Sequence, residues 1–395
     1  MKILAIETSC DETGVAYIEV KDSKAVRVKL LGESLASQIK VHQAFGGVFP
    51  AVARREHAKI IGPLIKETLT QAKAYKKIKN VPDTKTQQTI RKILMREDVV
   101  YDFFESELYN IKKPAIDCIA VTIGPGLEPA LWVGISTARA LGTLWNIPVI
   151  PINHMEGHIV SVLVSKEEMK TSKGSLYDIA SYPVLSLLVS GGHTELVLTK
   201  KPGSYTVLGS TRDDAAGEAF DKCARMLELP YPGGPEIAKR AAIARNKKIK
   251  SLFTLPRPMI HTKDFDFSYS GLKTALLYAL RDMKRKPTEP EVLGIAREVE
   301  DAIVEVLVHK TIQALEKTKA NTIIIGGGVA CNTYLKDLLT ETIHKKIGTH
   351  IIIKFPDKTL STDNALMIAL AGYETIRNGK IKKRYTWKAQ GNLGL

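Results

Sequence analysis

"KILAIETSCDETGVAYIEV" (2–20) and "YPVLSLLVSGGHTELVLT" (182–199) decide the fold. Each is an apolar run, a turn of small polar residues and a second apolar run, which reads as strand, tight turn, strand. Each also heads a half of the chain that continues in alternation. After the first come strand "DCIAVTIGPG" (117–126), a helix over 130–146, strand "IPVIPI" (147–152) and the helical "NHMEGHIVSVLV" behind Asn153, a good N-cap. After the second come helices over 217–228, 235–245, 271–285 and 291–318, then "NTIIIGGG" (321–328), a helix over 330–341, "HIIIKFP" (350–356) and a helix over 363–377. The repeat is weak in identity and clear in pattern. It predicts an α/β chain of two related domains facing each other across a cleft. The first half spans 1–150, with a helical insertion at about 72–113 and a C-terminal segment, about 372–395, packing back on it. The second spans 151–371, and 166–181 reads as a short loop.

At 395 residues the chain is long enough for two cores. Its 57 Lys+Arg against 42 Asp+Glu leave +15, which favours a polyanionic partner, nucleic acid ahead of an anionic membrane. The excess is clustered: 239–250 and 377–395 hold six basic residues each, and 66–92 hold eight against two acidic. Such stripes suit a phosphate backbone. Cys10, Cys118, Cys223 and Cys331 are too dispersed for a disulfide framework or a CxxC site. No signal peptide is expected over 2–7, and no apolar run approaches the ~18 residues of a membrane span. A cytoplasmic protein with no membrane partner is the expectation.

No Walker A sequence and no intact GxGxxG after a strand occur, so neither common phosphate loop is expected. Three small-residue turns follow apolar strands instead: Thr8–Thr13, Ser190–Thr194 and Gly326–Asn332. One such turn is an ordinary hairpin; three in a duplicated frame point to nucleotide binding through backbone N–H groups.

"HMEGH" sets His154 and His158 four apart, on one helix face and able to close on one ion. A zinc protease needs HExxH, whereas Met155 follows the first histidine here and Glu156 comes one residue later. The protease reading fails on register. Asp363 in "LSTDNALM" is the best third ligand, and a His₂–carboxylate set with open positions suits Fe(II) or Zn(II). His57, His193 and His261 have no partner at ligand spacing.

Taken together, "ETSCDETG" (7–14), "HMEGH" (154–158), "LLVSGGHTEL" (187–196), "DDAAGEAFDKCARMLELPYPGGP" (213–235), "PRPM" (256–259), "DFSYSGLKTA" (266–275), "GGGVACNTYL" (326–335) and "STDNALMIALAG" (361–372) resemble the TsaD family, the threonylcarbamoyl transferase of tRNA threonylcarbamoyladenosine synthesis. The resemblance implies a duplicated actin/hexokinase/Hsp70-like (ASKHA) fold with nucleotide and metal in the interdomain cleft. It implies transfer of the threonylcarbamoyl group from threonylcarbamoyl-AMP to adenosine 37 of ANN-reading tRNAs, with a TsaB-like paralogue and a TsaE-like ATPase as partners. By motif position it implies His154, His158 and Asp363 as iron (or zinc) ligands. Leu188, Val189, Ser190, Gly191 and Gly192 match the substrate loop, Asp221 and Gly234 the nucleoside positions, Asn332 the adenosine-side turn, and Ser9 and Glu12 the first phosphate loop. A weak aryl amine nucleophile calls for a general base, and Glu12 is the candidate. Two features depart from the family pattern. One is the 72–113 insertion, where the family packs its helical partner. The other is Glu128, Pro129 and Trp132, in place of small or apolar residues after "GPGL". The competing readings are a nucleotide-dependent switch on the same fold, a small-molecule kinase and a metalloprotease.

Overall fold

The computed structural model describes residues 1–23, 25–79, 81–177, 181–379 and 387–395. The chain forms two compact units: Met1–His42, Val48–Ile179 and Thr362–Leu395 in the first, Gln43–Gly47 and Ala180–Ser361 in the second.

The first unit contains β1 (Lys2–Glu7), β2 (Glu12–Asp22), β3 (Val26–Ser37), β4 (Cys118–Gly124), β5 (Val149–Asn153) and β6 (Ser175–Leu176), in the order β5-β4-β1-β2-β3-β6. The second contains β7 (Val184–Val189), β8 (Thr194–Lys201), β9 (Ser204–Ser210), β10 (Thr322–Gly326) and β11 (Ile352–Lys354), in the order β11-β10-β7-β8-β9. β1 is antiparallel to β2 and parallel to β4, just as β7 is antiparallel to β8 and parallel to β10. The third strands β3 and β9 are antiparallel to β2 and β8, and β5 and β11 are parallel to β4 and β10. The two sheets are therefore one plan used twice. β4 and β7 are buried along their whole length, which is why each reads as a continuous apolar run.

The division differs from the expected break at 150/151. β5 pairs with β4 in the first sheet, and helix Ala365–Arg377 packs on β1 and β2, so 151–179 and 362–395 join the first unit. The third strands were not legible. β3 mixes Lys and Glu into its apolar positions and β2–β3 pairing shifts register at Tyr17/Ile18, while β9 is mostly half-buried, with Thr206 and Val207 exposed. The 72–113 insertion is helical over Thr84–Ile93 and Asp98–Phe103 and seats Ile90, Leu94, Val100, Phe104 and Leu108 in the first unit's core. The expected loop at 166–181 contains a short helix, Lys166–Met169, and β6 pairing with β3; its residues 178–180 lie outside the described ones.

Trp132 helps tie down the C-terminus: the Arg139 guanidinium lies 5.7 Å from its ring and 4.5 Å from that of Trp387. Of the basic stretch 377–395, residues 380–386 lie outside the described ones. In 239–250, Arg240 pairs with Glu236, and Arg245 is drawn inward onto Glu300, Asp301 and the Tyr334 ring. Only the lysines of that stretch are left to face a polyanion. Among the described residues no helix is long and apolar enough to cross a membrane.

Candidate functional site

His154 opens a short helix directly after β5, where the Asn153 side chain accepts the Met155 N–H at 2.8 Å. One helical turn later His158 lies on the same face, with ring centroids 4.7 Å apart. Gly157 lets this helix close on its neighbour, since a Cβ there would sit 3.0 Å from Met367 Cγ. That neighbour, Ala365–Arg377, is capped by Asn364, whose Oδ1 accepts the Met367 N–H at 3.0 Å. Asp363, one residue before the cap, is thereby carried to the histidines.

Asp363 Oδ1 lies 3.3 Å from Nε2 of His154 and 3.3 Å from Nε2 of His158. One ligand atom from each of the three falls within 4.8 Å of the others. His158 is fully buried, and neither of its ring nitrogens has a hydrogen-bond partner among the described residues. Asp363 Oδ1 and the two Nε2 atoms thus converge on a common point. A buried imidazole left so is costly unless something occupies that point.

A second carboxylate completes the arrangement. Glu7, fully buried at the end of β1, brings Oε2 to 3.2 Å from His154 Nδ1 and accepts Thr122 Oγ1–H at 2.5 Å. Its Oε1 accepts the Ser9 N–H at 2.5 Å, and Ser9 Oγ is 3.2 Å from the same Nδ1. A proton on Nδ1 directed at Glu7 leaves the Nε2 lone pair facing Asp363, the carboxylate–histidine pattern that orients a metal ligand. Glu7 was not singled out from sequence: it reads as the last residue of a strand, and its partners are 115 and 147 residues away.

Electrostatics favour a cation here. Burial works against a charged His154 ring, but the Asp363 and Glu7 carboxylates outweigh it and raise its pKa well above the ordinary value. Burial would push the Asp363 carboxyl up, yet the two imidazoles hold it well below the carboxylate range. Glu12 goes the other way: burial first, then the Asp11 and Asp363 charges, push it up to about 10. In this arrangement Glu12 carries its proton at neutral pH, so it does not act as a base unless positive charge is added beside it. The Cys10 thiol is likewise pushed up by burial and by Asp11, Asp363 and Glu12. His57 is satisfied, with Thr13 Oγ1 at 2.7 Å and the Cys10 carbonyl at 3.0 Å. It is not a ligand candidate.

The residues expected to form the substrate loop fall in the second unit. Leu188 and Val189 bury their side chains in β7, so only their backbone is on offer, and Ser190–His193 closes the turn to β8. A Cβ added at Gly191 or Gly192 would meet nothing within 4 Å, so packing does not demand glycine there. Two other segments press against this turn. A Cβ on Gly217 would lie 2.6 Å from the Ser190 carbonyl oxygen, and one on Gly327 would lie 2.4 Å from that of Val189. The N-terminal end of helix Ala216–Met226 and the Gly326–Asn332 turn thus meet at Ser190. Asp221 Oδ1 accepts the Gly233 N–H at 2.6 Å, beside Gly234. Asn332 is committed at both ends of its amide: Oδ1 caps Leu335 N–H at 2.8 Å and Nδ2 donates to Glu300 at 2.6 Å. The helix expected over 330–341 therefore starts at Thr333, with Asn332 as its cap and not inside it.

The family described as "TsaD: tRNA N6-adenosine threonylcarbamoyltransferase" matches residues 29–82 and 103–370. Relatives named tRNA N6-adenosine threonylcarbamoyltransferase include one from Herminiimonas arsenicoxydans, 38% identical over 372 residues (94% of this chain, 91% of the relative). Another, from Staphylococcus epidermidis, is 39% identical over 393 residues, 100% of this chain and 97% of the relative. Among solved structures, full-length HypF in its phosphate- and nucleotide-bound form is similar with a TM-score of 0.50 at 11% identity, covering 98% of this chain and 56% of that one. That likeness concerns the fold, and with the twice-used sheet plan it agrees with the ASKHA-like architecture.

Proposed function

This chain belongs to the TsaD family of tRNA-modifying transferases, and from that premise we propose that it moves the threonylcarbamoyl group of threonylcarbamoyl-AMP onto the exocyclic amine of adenosine 37 in ANN-reading tRNAs. The observation that carries the reading is Asp363 Oδ1 at 3.3 Å from both Nε2 atoms, beside a buried His158 whose ring nitrogens lack hydrogen-bond partners among the described residues. A protease lacks a use for this set, because no glutamate follows His154 directly. A pure nucleotide switch lacks one as well.

His154, His158 and Asp363 would hold Fe(II) first and Zn(II) second, two nitrogens and an oxygen with positions left open. Such an ion supplies Lewis acidity toward an adenylate phosphate oxygen and positive charge that lowers the pKa of neighbouring carboxyls. Glu7 holds the proton of His154 at Nδ1 and so keeps Nε2 as the ligating atom. In the second unit the backbone N–H groups of Gly191 and Gly192 are proposed to bind the substrate's anionic groups. Asp221, oriented by the Gly233 N–H, accepts ribose hydroxyls. Asn332 shapes the adenosine-side turn as a helix cap rather than contacting the base through its amide, which is already engaged.

In the reaction the amine nitrogen bonds to the carbamoyl carbon, the bond to the AMP phosphate oxygen breaks, and the amine loses a proton. Glu12 is the proposed acceptor, on condition that it has first given up the proton held by its buried, acidic surroundings. A TsaB-like paralogue and a TsaE-like ATPase are the proposed activators, and the cytoplasm, where tRNA is modified, is the proposed compartment.

The test is mass spectrometry of tRNA nucleosides after incubation with threonylcarbamoyl-AMP, ANN-reading tRNA and the candidate partners. Threonylcarbamoyladenosine is expected from the wild type and not from His154→Ala. Tight nucleotide binding with no product under any combination would favour the switch.

A further inference from the structure

The family match passes over residues 83–102, and that span builds a surface of its own. Asp83 caps helix Thr84–Ile93, its carboxylate accepting Thr86 N–H at 2.9 Å and Thr86 Oγ1–H at 2.8 Å. Ile90 is the helix's fully buried residue, and it faces the first unit's core. The face beside it carries Thr84, half-buried Gln87, Gln88, Arg91 and Lys92 at successive helical turns. With Tyr101 they line a groove of about 490 Å³, and Met95, 67% exposed, extends it.

The groove has a fixed frame. Leu94 and Val100 are buried, Phe103 packs against Gly62, and Arg54 donates to the Arg96 carbonyl at 2.6 Å and pairs with buried Glu97 at 3.0 Å. The Arg91 guanidinium lies 4.4 Å over the Tyr101 ring, held there by Asp98 at 3.1 Å, while Tyr101 Oη–H is donated to Glu105 at 2.8 Å. The lining itself carries no acidic side chain, and the two acidic groups at its rim, Asp98 and Glu105, are engaged by Arg91 and Tyr101. Residues 76–96 carry seven basic side chains against one acidic, and that one, Asp83, is spent on the helix cap.

We propose that this groove binds an unpaired stretch of RNA, which, on the function proposed above, belongs to the tRNA substrate. The donor set selects the occupant. A guanidinium stacked on an aromatic ring is a platform for a splayed base, the exposed Gln88 amide suits a base edge, and Lys92 with the neighbouring Lys85 suits the phosphates. Paired RNA does not fit, because its bases are stacked inside a helix whose major groove is too deep and narrow for side chains to read. An apolar protein helix would leave the Gln88 amide and the Lys85 and Lys92 ammonium groups without partners, whereas the Gln87 amide already donates to the Pro82 carbonyl at 2.7 Å.

The test uses the full-length chain and fluorescence anisotropy with three probes: an ANN-anticodon tRNA transcript, a single-stranded oligoribonucleotide and a blunt RNA duplex. Arg91→Ala/Lys92→Ala is compared with wild type, and Lys85→Glu/Lys92→Glu alters charge without touching the stack. In both variants affinity for tRNA and for the single strand should fall about tenfold at 0.1 M salt. For the alanine pair, which removes the single phosphate contact of Lys92, the slope of log K against log salt should shrink by about 0.7. Duplex affinity should be unchanged. Unchanged single-strand and tRNA affinity in both variants would overturn the groove, as would an equal loss for the duplex. Loss of association with an activating protein, with RNA affinity intact, would overturn it too. Weaker single-strand binding in chains that form no threonylcarbamoyladenosine would uphold the groove and sink the transferase reading instead, so the two failures are distinct.

Discussion

The β1–β2 turn and the β7–β8 turn occupy the same place in two copies of one sheet plan, yet they are built from opposite materials. The first is made of side chains: Ser9, Cys10, Asp11 and Glu12, with Glu7 sealed beneath them and wired to Thr122 and His154. The second is made of backbone: Gly191 and Gly192 stand open, and the chain approaches so closely at Gly217 and Gly327 that no side chain fits. The difference teaches that duplication preserved the architecture and not the chemistry. Concentrated negative charge suits a cation, and open peptide N–H groups suit an anion.

The largest effect that would sharpen this contrast is expected from His158→Ala. Nucleoside mass spectrometry should show transfer at background, while adenylate binding by the glycine turn is retained. If adenylate binding vanished with it, the two turns would not be separable in function. Next is Glu7→Gln, which keeps the shape but weakens the hydrogen bond that fixes His154. Metal affinity, measured by competition with a coloured chelator, should drop roughly 10–100-fold. No change would strip Glu7 of its orienting role. Gly191→Val is the complementary attack on the other turn. Because a Cβ there meets nothing in the protein, melting should be unaltered, metal content unchanged and adenylate affinity down about tenfold, near 1.4 kcal/mol. A stability loss instead would show that the turn needs glycine for folding.

A separate effect is expected in the pH dependence of the metal-free chain. Glu12 keeps its proton up to about 10 when folded and releases it near the ordinary carboxyl value, about 4.3, when unfolded. Between those limits the folded state binds the extra proton, so wild-type stability falls as pH rises. Glu12→Gln lacks that loss, and its melting advantage should therefore widen from pH 5 to pH 9. A constant difference would mean that Glu12 is ionised in the fold and free to act as a base without added positive charge.

Much of this was legible because it is local. The two strand–turn–strand units, the His154/His158 spacing and Asp363 ahead of a capped helix each declare themselves within a dozen residues. What escaped is what depends on distance. Glu7 acquires meaning only from Thr122 and His154, and the unit boundary moved because β5 pairs with β4 and the last helix returns to β1. β9 escaped for another reason, since a half-buried edge strand whose one fully buried residue is Gly209 leaves little apolar alternation to read. Glu12 is a third case: its residue type suggests a base, and the burial and neighbouring carboxylates that push it up to about 10 are set by the fold, not by the local sequence.

The most direct test of the central claim is a titration of Fe(II), anaerobically, or of Zn(II) into metal-free wild type and into Asp363→Ala. One ion per wild-type chain, with binding lost or weakened by more than about a hundredfold in the variant, is the predicted result. Equal stoichiometry and affinity in both would contradict a centre built on His154, His158 and Asp363.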